Sequence, residues 1–579
     1  MCGSSAALMP LWPGLPSVMA KMDRQEASAP LVVEGITFQY RARPEPALRD
    51  VSLELGEGEL VLVAGTSGCG KTTLIRCING LIPRSYKGEL NGRVLVHGKD
   101  ASEMPLSRLS QQVGTVLQDP ERQILGAHVF TEVAFGLENL ALPRAEIRQR
   151  VDETLDYLGT SRLRDRETFY LSGGEKQKVS LAGVLAMQPD ILLLDEPLAS
   201  LDPASAKEAM RLFRRLADEG ISILLVEHRV EDVLDIHPDR VLFMAEATIA
   251  YAGGPEGLTD VVDYRQVKLP APAVIEKAAG VSLPVLEPAI KSNGRENLVT
   301  FEDVSFGYGD GPQVIDEVDL TIRQGDIAAI LGPNGAGKTT LIKHAIGLLK
   351  PKRGSVLIEG QDTRHLSVAE IAHTLGYVFQ SPSHMLHAPT VREELAFGPE
   401  NLGFNEMAVE EGVDDAIDAL NIRGLEDYAP LSLSFGQQKR VSIGAILAMR
   451  SRILAMDEPT AGQDYWNYMA FMDSILQTPG FSAVLFITHD LDLAVCYANR
   501  VILMHDGRIA ADGSPADVLA DFELLKRCRL VPTSLLRANL EHLPHTGRFM
   551  SAEELAQAVH ARSGPHSGED TTSDQSYRG

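Results

Sequence analysis

The chain carries one series of short motifs twice, and this internal repeat constrains its fold more than any other feature. LSGGEKQKV (171–179) returns as LSFGQQKRV (433–441), VLQDP (116–120) as VFQSP (378–382), and LLLDEP (192–197) as LAMDEP (454–459). Each pair is separated by 262 residues, an offset that independent matches would not share. The 579 residues therefore predict a tandem of two domains, each about 240 residues long.

Within each copy, short apolar runs alternate with helical patterns. DILLLDEP (190–197), SILLVEH (222–228) and AVLFITH (483–489) are continuously apolar and end in polar residues. Strands that are buried on both faces have this pattern, so the sequence predicts an α/β fold with a largely parallel sheet in each copy. The polar residues are expected at the carboxyl ends of the strands, where such sheets bind ligands.

Composition outside the repeats predicts the domain boundaries. The two domains are expected at 30–264 and 298–535, joined by a linker at 265–297 that is rich in proline and alanine. The start of the chain (1–29) is apolar but interrupted by prolines, and we interpret it as a disordered extension. The chain from 536 onward ends in SGPHSGEDTTSDQSYRG, which predicts a disordered tail over 536–579.

Charge and cysteine content exclude several classes of protein. The formal net charge of −25 argues against sequence-independent nucleic-acid binding and against passive adhesion to anionic lipid, because both need an excess of Lys and Arg. The five cysteines form no C-x-x-C pair, so reduced thiols are expected rather than disulfides or zinc ligands. No apolar run reaches the roughly 18 residues of a membrane-spanning helix.

Two glycine-rich loops predict phosphate binding. GTSGCGKTT (65–73) and GPNGAGKTT (332–340) fit G-x-x-x-x-G-K-[ST], and each follows an apolar run and precedes a helical pattern. Glycines allow backbone N–H groups to converge on phosphate oxygens, the lysine reaches the β- and γ-phosphates, and the first threonine binds Mg²⁺. The predicted phosphate-binding residues are Gly65, Gly68, Gly70, Lys71, Thr72, Thr73, Gly332, Asn334, Gly335, Gly337, Lys338, Thr339 and Thr340.

Paired carboxylates end one predicted strand in each copy. Asp195 and Asp457 are placed to hold Mg²⁺, since carboxylate oxygens are among its preferred ligands. Glu196 and Glu458 follow directly, and along an extended chain they would point the opposite way. Such a carboxylate can polarise an attacking water, so the two glutamates are the predicted catalytic bases.

A histidine ends the next predicted strand in each copy. His228 and His489 lie 261 residues apart, nearly the offset of the repeat. A single histidine is most often structural, but a matched pair beside two phosphate loops favours a phosphate-sensing role in catalysis.

With these motifs in the same order in both halves, the chain resembles the ATP-binding cassette (ABC) ATPases twice. The resemblance implies two tandem P-loop NTPase domains of ABC type, each with a helical subdomain, that hydrolyse ATP with Mg²⁺. It implies that Gln118 and Gln380, the glutamine-loop residues, bind ATP and Mg²⁺. Tyr40 and Tyr308 match the aromatic residue that stacks on adenine, and the loop after the paired carboxylates contributes Asp202 and Asp464.

The resemblance also implies how two ATP sites are assembled. In this family two cassettes pack head to tail, and each ATP lies between the phosphate loop of one and the signature of the other. The signatures here are LSGGEKQKV (171–179) and LSFGQQKRV (433–441). The first composite site would join Lys71, Thr72, Gln118, Asp195, Glu196 and His228 to Ser434, Gly436 and Gln437. The second would join Lys338, Thr339, Gln380, Asp457, Glu458 and His489 to Ser172, Gly173, Gly174 and Glu175.

The two composite sites are expected to be unequal. Phe435 stands where the other signature has Gly173, and a phenylalanine brings a bulky ring and does not readily adopt a positive φ. We therefore expect the first site to close less well, although its catalytic residues are intact. The following loop also differs, reading SLD at 200–202 and GQD at 462–464, with Gln463 in place of an apolar residue.

The sequence after each glutamine resembles one group of ABC importers. QDPERQILGAHVFTEVAFGLENLALP and QSPSHMLHAPTVREELAFGPENLGF are similar to energy-coupling factor (ECF) ATPases and their cobalt and nickel relatives. The resemblance implies uptake of a vitamin or a transition-metal ion through an integral membrane coupling protein and a small substrate-binding membrane protein. It places the chain at the cytoplasmic face of the cell membrane as a peripheral subunit.

Two alternatives remain open at this stage. The fused ATPases of sugar-type importers also carry two cassettes in one chain. Twin-cassette translation factors bind ribosomes, but they have a long charged linker and basic surfaces, unlike this acidic chain with its proline-containing linker. DNA-repair cassettes carry inserted zinc modules, which need the cysteine pairs that this sequence lacks.

Overall fold

A computed structural model of the protein describes residues 29–41, 44–199, 201–278, 289–290, 296–459 and 465–563. The predicted extension, except for its last residue, lies outside the described residues. So do Gln463, Asp464 and the end of the chain from 564.

The first copy contains ten strands and ten helices within the described residues. The strands are β1 (Leu31–Tyr40), β2 (Leu48–Leu55), β3 (Leu60–Gly65), β4 (Gly88–Val96), β5 (Lys99–Asp100), β6 (Val113–Val116), β7 (Ile191–Asp195), β8 (Ser222–Val226), β9 (Arg240–Ala245) and β10 (Thr248–Gly253). The helices are α1 (Lys71–Ile78), α2 (Leu81–Arg84), α3 (Leu106–Gln112), α4 (Pro120–Gln123), α5 (Val129–Asn139), α6 (Arg144–Tyr157), α7 (Gly173–Leu185), α8 (Pro203–Asp218), α9 (Val230–Leu234) and α10 (Pro255–Val261).

The second copy repeats this order after one helix in the linker, α11 (Ala271–Lys277). Its strands are β11 (Asn297–Phe306), β12 (Ile315–Arg323), β13 (Ile327–Leu331), β14 (Arg353–Ile358), β15 (Gln361–Asp362), β16 (Leu375–Val378), β17 (Ile453–Asp457), β18 (Ala483–Ile487), β19 (Arg500–His505) and β20 (Arg508–Gly513). Its helices are α12 (Lys338–Ala345), α13 (Val368–Ala372), α14 (Val391–Asn401), α15 (Glu406–Ala419), α16 (Phe435–Ala448), α17 (Tyr465–Gln477), α18 (Leu491–Tyr497), α19 (Pro515–Leu519) and α20 (Phe522–Arg527), followed by α21 (Ser534–Thr546) and α22 (Ala552–Ser563).

Both copies have the same two sheets. The larger sheet has the order β10-β9-β3-β8-β7-β6 in the first copy and β20-β19-β13-β18-β17-β16 in the second. Its strands are parallel except for the antiparallel edge strands β10 and β20. A smaller antiparallel sheet has the order β2-β1-β4-β5 or β12-β11-β14-β15. The predicted pair of α/β domains with mainly parallel sheets is confirmed.

The continuous apolar runs explain why the central strands are parallel. Every residue of β3, β7 and β8 is buried, because helices cover one face of the larger sheet and the smaller sheet covers the other. A parallel sheet needs this cover on both faces. Because these strands are parallel, their carboxyl ends lie together at one edge of the sheet, where the motif residues begin.

In each copy, three helices pack together beside the sheets as the helical subdomain. They are α5, α6 and α7 in the first copy and α14, α15 and α16 in the second. Each signature stretch starts the last of these helices, at Gly173 and at Phe435.

The predicted disordered tail is wrong for residues 536–563, which belong to α21 and α22. Apolar side chains cause this, since Leu535, Leu536 and Phe549 are buried in the main core. These helices pack against α11 of the linker, whose Val274 is also buried. The linker and the end of the chain thus form one helical unit, a pairing that neither segment predicts alone.

Among the helices of the described residues, none combines the length and the apolar character needed to cross a bilayer.

Candidate active site

Each phosphate loop joins a buried strand to a helix, as its motif predicts. The loop of the first copy runs from the end of β3 to the start of α1, and that of the second from β13 to α12. Gly70 and Gly337 precede the two helices with φ of 109° and 98°. A Cβ on Gly70 would lie 2.4 Å from the carbonyl oxygen of Ala47, so both the backbone angle and the space require glycine.

The loop lysines hold their own loops in the same way in both copies. Lys71 Nζ donates to the carbonyl oxygens of Gly65 and Thr66, each at 2.9 Å. Lys338 Nζ donates to the corresponding carbonyls of Gly332 at 2.8 Å and Pro333 at 2.9 Å. Burial lowers the pKa of Lys338 despite the nearby Glu458 and Asp457. Each ammonium group therefore lies inside its loop, where a phosphate would compete for it.

The predicted metal ligands meet across the end of the sheet. Thr72 Oγ1 donates to Asp195 Oδ1 at 3.3 Å, and Thr339 Oγ1 donates to Asp457 Oδ2 at 2.8 Å. Burial, with the neighbouring Glu196, raises the pKa of Asp195 to about 6. Burial also raises the pKa of Asp457. Hydroxyl and carboxylate oxygens are ligands that Mg²⁺ prefers, so both pairs fit the predicted cation.

Tyr377 is a site residue that sequence reasoning missed. Its hydroxyl donates to Asp457 Oδ2 at 2.9 Å, because β16, which carries it, lies beside β17. The residue 262 positions earlier is Thr115, whose side chain donates no such bond to Asp195 among the hydrogen bonds of the described residues. Only the strand order could have indicated this contact.

In both copies the predicted catalytic glutamate forms a close pair with the histidine that follows the next strand. These histidines, His228 and His489, are called the switch histidines below. His228 Nε2 lies 2.8 Å from Glu196 Oε1, and His489 Nδ1 lies 2.9 Å from Glu458 Oε1. Gln118 Nε2 also donates to Glu196 Oε2 at 2.6 Å. Burial alone would raise the pKa of Glu196, but its bond to His228 and the surrounding charges outweigh burial and lower that pKa.

The expected extended conformation of the two glutamates is wrong. Glu196 and Glu458 have φ of 49° and 46°, in the left-handed region. Their backbone N–H groups still donate to the next strand, at Val226 and Ile487, so the chain turns just after the strand pairing ends. Two non-glycine residues in this region, at equivalent positions, indicate backbone strain held by the surrounding fold.

A cavity of about 360 Å³ collects the predicted residues of the second copy. Ten of its lining residues belong to the sequence prediction, namely Asn334, Gly335, Gly337, Lys338, Thr339, Thr340, Gln380, Asp457, Glu458 and His489. Ala199 of the first copy also lines this cavity, and the charge of Asp202 acts on Lys338. The loop after the first pair of carboxylates therefore faces the second phosphate loop.

Both catalytic pairs also border one larger cavity between the copies. This cavity has a volume of about 450 Å³, and Glu196, His228, Glu458 and His489 all line it. Residues at the carboxyl ends of both larger sheets therefore border one cavity.

Each signature stretch is hydrogen-bonded within its own helix. None of Ser172, Gly173, Gly174 and Glu175 lines the cavity of the second phosphate loop. Instead, Ser172 N donates to Glu175 Oε2 at 3.1 Å, and Ser434 N donates to Gln437 Oε1 at 3.0 Å. Both signatures are thus capping boxes at helix N-termini, and their approach to ATP stays a prediction.

The expectation that Gly173 needs a positive φ is wrong. Gly173 is the first residue of α7, and its φ is not positive. Phe435 begins α16 in the same way, after an N-cap serine with φ of −63°. The backbone therefore accepts phenylalanine at this position, and the difference between Gly173 and Phe435 is one of side-chain size.

The predicted adenine-stacking tyrosines lie over the phosphate-loop helices. The Tyr40 hydroxyl is 3.2 Å from Thr73 Oγ1, and the Tyr308 hydroxyl is 3.3 Å from Thr340 Oγ1. Tyr308 is 49% exposed. The stacking of these rings on adenine stays a prediction.

Lys439 is a second residue that sequence reasoning missed. It is buried on α16, and its Nζ donates to the carbonyl oxygen of Pro459, the residue after Glu458. Burial lowers the pKa of Lys439 to about 7. The equivalent residue of the first copy is the buried Gln177, whose side-chain amide makes no hydrogen bond among the described residues, so the first catalytic loop lacks this contact.

Comparison with known proteins gives consistent family matches. A family model described as ABC transporter matches residues 48–199 and 315–461. A protein of Methanosarcina acetivorans, named provisionally as an ABC transporter ATP-binding protein, is 35% identical over 592 residues, covering 93% of this chain and 95% of the relative. A protein of Enterococcus faecalis with the same name is 37% identical over 534 residues, covering 87% of this chain and 94% of the relative.

A solved structure matches one half of the chain. It is CbiO1 from Clostridium perfringens, described as part of the ABC transporter complex CbiONQ. The sequences are 31% identical, and the match covers 44% of this chain and 98% of that one, with a TM-score of 0.38. A TM-score this low supports no conclusion about function.

Proposed function

The chain belongs to the ABC transporter family and is therefore an ATPase, and from that premise we propose that it powers an importer, with two ATP sites shared between its cassettes. The observation that carries this proposal is the cavity that both catalytic pairs border. Two catalytic edges that face each other within one chain can each complete the site of the other. This arrangement supports composite sites of the kind the motifs predict.

Each site residue has a task that follows from its chemistry. Lys71 and Lys338 would leave their loop carbonyls to bind the β- and γ-phosphates of ATP. Mg²⁺, held by the threonine–aspartate pairs with phosphate oxygens, would neutralise charge on the transferring phosphoryl group. Glu196 and Glu458 would orient and polarise the attacking water, and the histidines hold each carboxylate in place.

Exposed aromatic residues support a membrane partner. Phe135 on α5 and Phe397 on α14 occupy the AFG-x-ENL motifs and are 47% and 48% exposed. In the first copy, Phe169 and Tyr170 are also exposed on the same subdomain, just before the signature. Large exposed apolar groups on one subdomain are typical of protein interaction sites.

The motifs around these residues favour the ECF type of importer over the sugar type. On this proposal, the helical subdomains dock on an integral membrane coupling protein, which works with a small substrate-binding membrane protein. The chain would then be peripheral at the cytoplasmic face of the membrane. The solute would be a vitamin or a transition-metal ion that does not contact this chain.

Co-purification from detergent-solubilised membranes tests the proposal. The wild type should bring down integral membrane proteins, and the double variant Phe135→Asp/Phe397→Asp should lose them while it still hydrolyses ATP. Leu106→Asp is the matched control, because Leu106 is 43% exposed on α3, outside the helical subdomain. Co-purification of ribosomes, or of no membrane protein with the wild type, would contradict the proposal.

A further inference from the structure

Four segments of the chain meet directly behind the second switch histidine. Lys268 comes from the linker, and Asp490 and Asp492 lie just after His489 at the start of α18. Thr533 belongs to the segment that precedes α21, and Glu231 to α9 of the first copy. The linker, both cassettes and the helical end of the chain therefore share one polar cluster.

Lys268 is the cation of this cluster. Its Nζ lies 2.7 Å from Asp492 Oδ2 and 3.3 Å from Asp490 Oδ1. The side chains are largely buried, with exposures of 17% for Lys268 and 5% for Asp492. Burial alone would lower the pKa of Lys268, but Asp490, Asp492 and Glu231 outweigh it and raise that pKa. The lysine is thus held charged between carboxylates.

Hydrogen bonds also hold the carboxylates around Lys268 and join them to the linker and to the segment before α21. Thr533 Oγ1 donates to Asp492 Oδ1. Ser534 N donates to Glu231 Oε1 at 2.9 Å, and Ala271 N in the linker donates to Ser534 Oγ at 2.8 Å. The position of Lys268 is therefore fixed from several sides.

The first switch histidine is held in a different way. The carboxylate of Glu227, in its own cassette, accepts hydrogen bonds from the backbone N–H groups of His228 at 2.7 Å and Leu198 at 3.1 Å. The second copy has Thr488 at this position, and the Thr488 hydroxyl accepts a hydrogen bond from Asp490 N at 3.0 Å. No carboxylate stands at the position of Glu227 in the second loop, where Lys268 of the linker contacts Asp490 instead.

We propose that Lys268 is a positioning residue for the second ATP site, which holds Asp490 and so keeps the adjacent His489 within reach of Glu458. The inference rests on the roles proposed above for His489 and Glu458, and it is independent of the type of importer. Lys268 acts through the loop rather than on ATP. Lys268 thus holds the loop after His489, whereas Glu227 of the first cassette holds the backbone of His228.

Single-site backgrounds test this asymmetry. With Glu196→Gln only the second site is intact, and there Lys268→Met should lower kcat about ten- to a hundredfold, the range expected when a catalytic group is misplaced by about 1 Å. The KM for ATP should stay unchanged, because the histidine–glutamate pair acts in the transition state. With Glu458→Gln only the first site is intact, and Lys268→Met should leave its kcat within about twofold.

Two further variants separate positioning from general damage. Lys268→Arg keeps the charge and should restore most of the kcat in the Glu196→Gln background. Lys277→Met is the matched control, because Lys277 is also a half-buried linker lysine, and within the described residues it donates to the carbonyl oxygen of Val262 and pairs with no carboxylate. It should change neither background.

The outcomes are distinguishable. Equal losses from Lys268→Met in both backgrounds, or no loss in either, would overturn the inference. If Lys268→Met does not fold, Asp490→Asn must reproduce the selective loss at the second site, and its failure to do so would equally overturn it. If Glu458→Gln itself leaves turnover unchanged, the proposed catalytic roles fail instead.

Discussion

Glu196 and Glu458 both have a left-handed backbone, and each pairs with the equivalent histidine of its own copy. A difference between the two sites must therefore come from the residues around these pairs. Phe435 is one such difference, because it puts a bulky residue in the signature of the first site where the other signature has Gly173. Glu458→Gln should therefore remove most of the ATP turnover, and Glu196→Gln should remove less. Steady-state hydrolysis by the two purified variants measures this, and equal losses would show that the sites are equivalent.

The buried Lys439 should make the free energy of unfolding depend on pH. Its pKa is about 7 in the folded protein, against 10.5 for an ordinary lysine. Between these values the unfolded chain binds a proton that the folded chain does not, so the cost of burying Lys439 is largest below pH 7 and fades as the pH rises towards 10. Lys439→Gln should therefore stabilise the protein near pH 7, by a few kcal/mol at most, and less at pH 9.5.

The reciprocal change checks the cause. Gln177 is the buried equivalent of Lys439 in the first copy, and Gln177→Lys should destabilise the protein near neutral pH and recover as the pH rises. Unfolding in urea at pH 7 and pH 9.5 gives both differences. A gain from Lys439→Gln that stays constant with pH would contradict the assigned burial effect.

At the scale of elements, the sequence predicts what local pattern controls. The phosphate loops, the strands before them and the signature helices follow from residue types at fixed spacing, and the structure has them at those positions. The helices α21 and α22 could not be predicted, because their apolar residues find partners in the linker more than 250 residues earlier in the chain. The left-handed glutamates were also missed, since no local residue pattern indicates that turn.

Asn539 joins α21 to the segment before α22, and this contact predicts the stability of the terminal unit. Asn539 is fully buried, donates to the carbonyl oxygen of Met550 at 2.9 Å and accepts from Met550 N at 2.8 Å. Asn539→Ala should lower the free energy of unfolding by about 1–3 kcal/mol, because it leaves two buried backbone groups unpaired. Glu541→Ala, at an exposed position of the same helix, is the control in thermal or urea unfolding, and equal effects of the two changes would contradict this account.

At the scale of the whole molecule, the repeat predicts two cassettes but not how they meet without ATP. In the structure, Arg529 of the second half lies 3.6 Å from Asp202 and donates to Ser205 at 2.9 Å. This contact joins the first cassette to the second at the loop that faces the second phosphate loop. The approach of each signature to the opposite phosphate loop around ATP stays a prediction of the composite sites proposed above.

ATP should therefore bring each signature to the opposite phosphate loop, and engineered cysteines can detect this movement. The background is the double variant Glu196→Gln/Glu458→Gln, which is expected to retain ATP because it lacks both proposed catalytic bases. Ser172→Cys with Asn334→Cys is added to report on the second site, and Ser434→Cys with Ser67→Cys to report on the first. Cys496, which is partly exposed, and Cys2 are replaced by serine in both.

A disulfide within the chain changes its migration on a non-reducing gel, so its yield with and without ATP and Mg²⁺ measures closure of each site. We expect ATP to increase the yield at both pairs, and more at Ser172–Asn334, because the first site has the bulky Phe435 next to Ser434 where the second has Gly173 next to Ser172. Each single cysteine variant should give no shift. Equal yields at the two pairs would remove the asymmetry, and yields that do not respond to ATP would show that the cassettes do not clamp nucleotide between them.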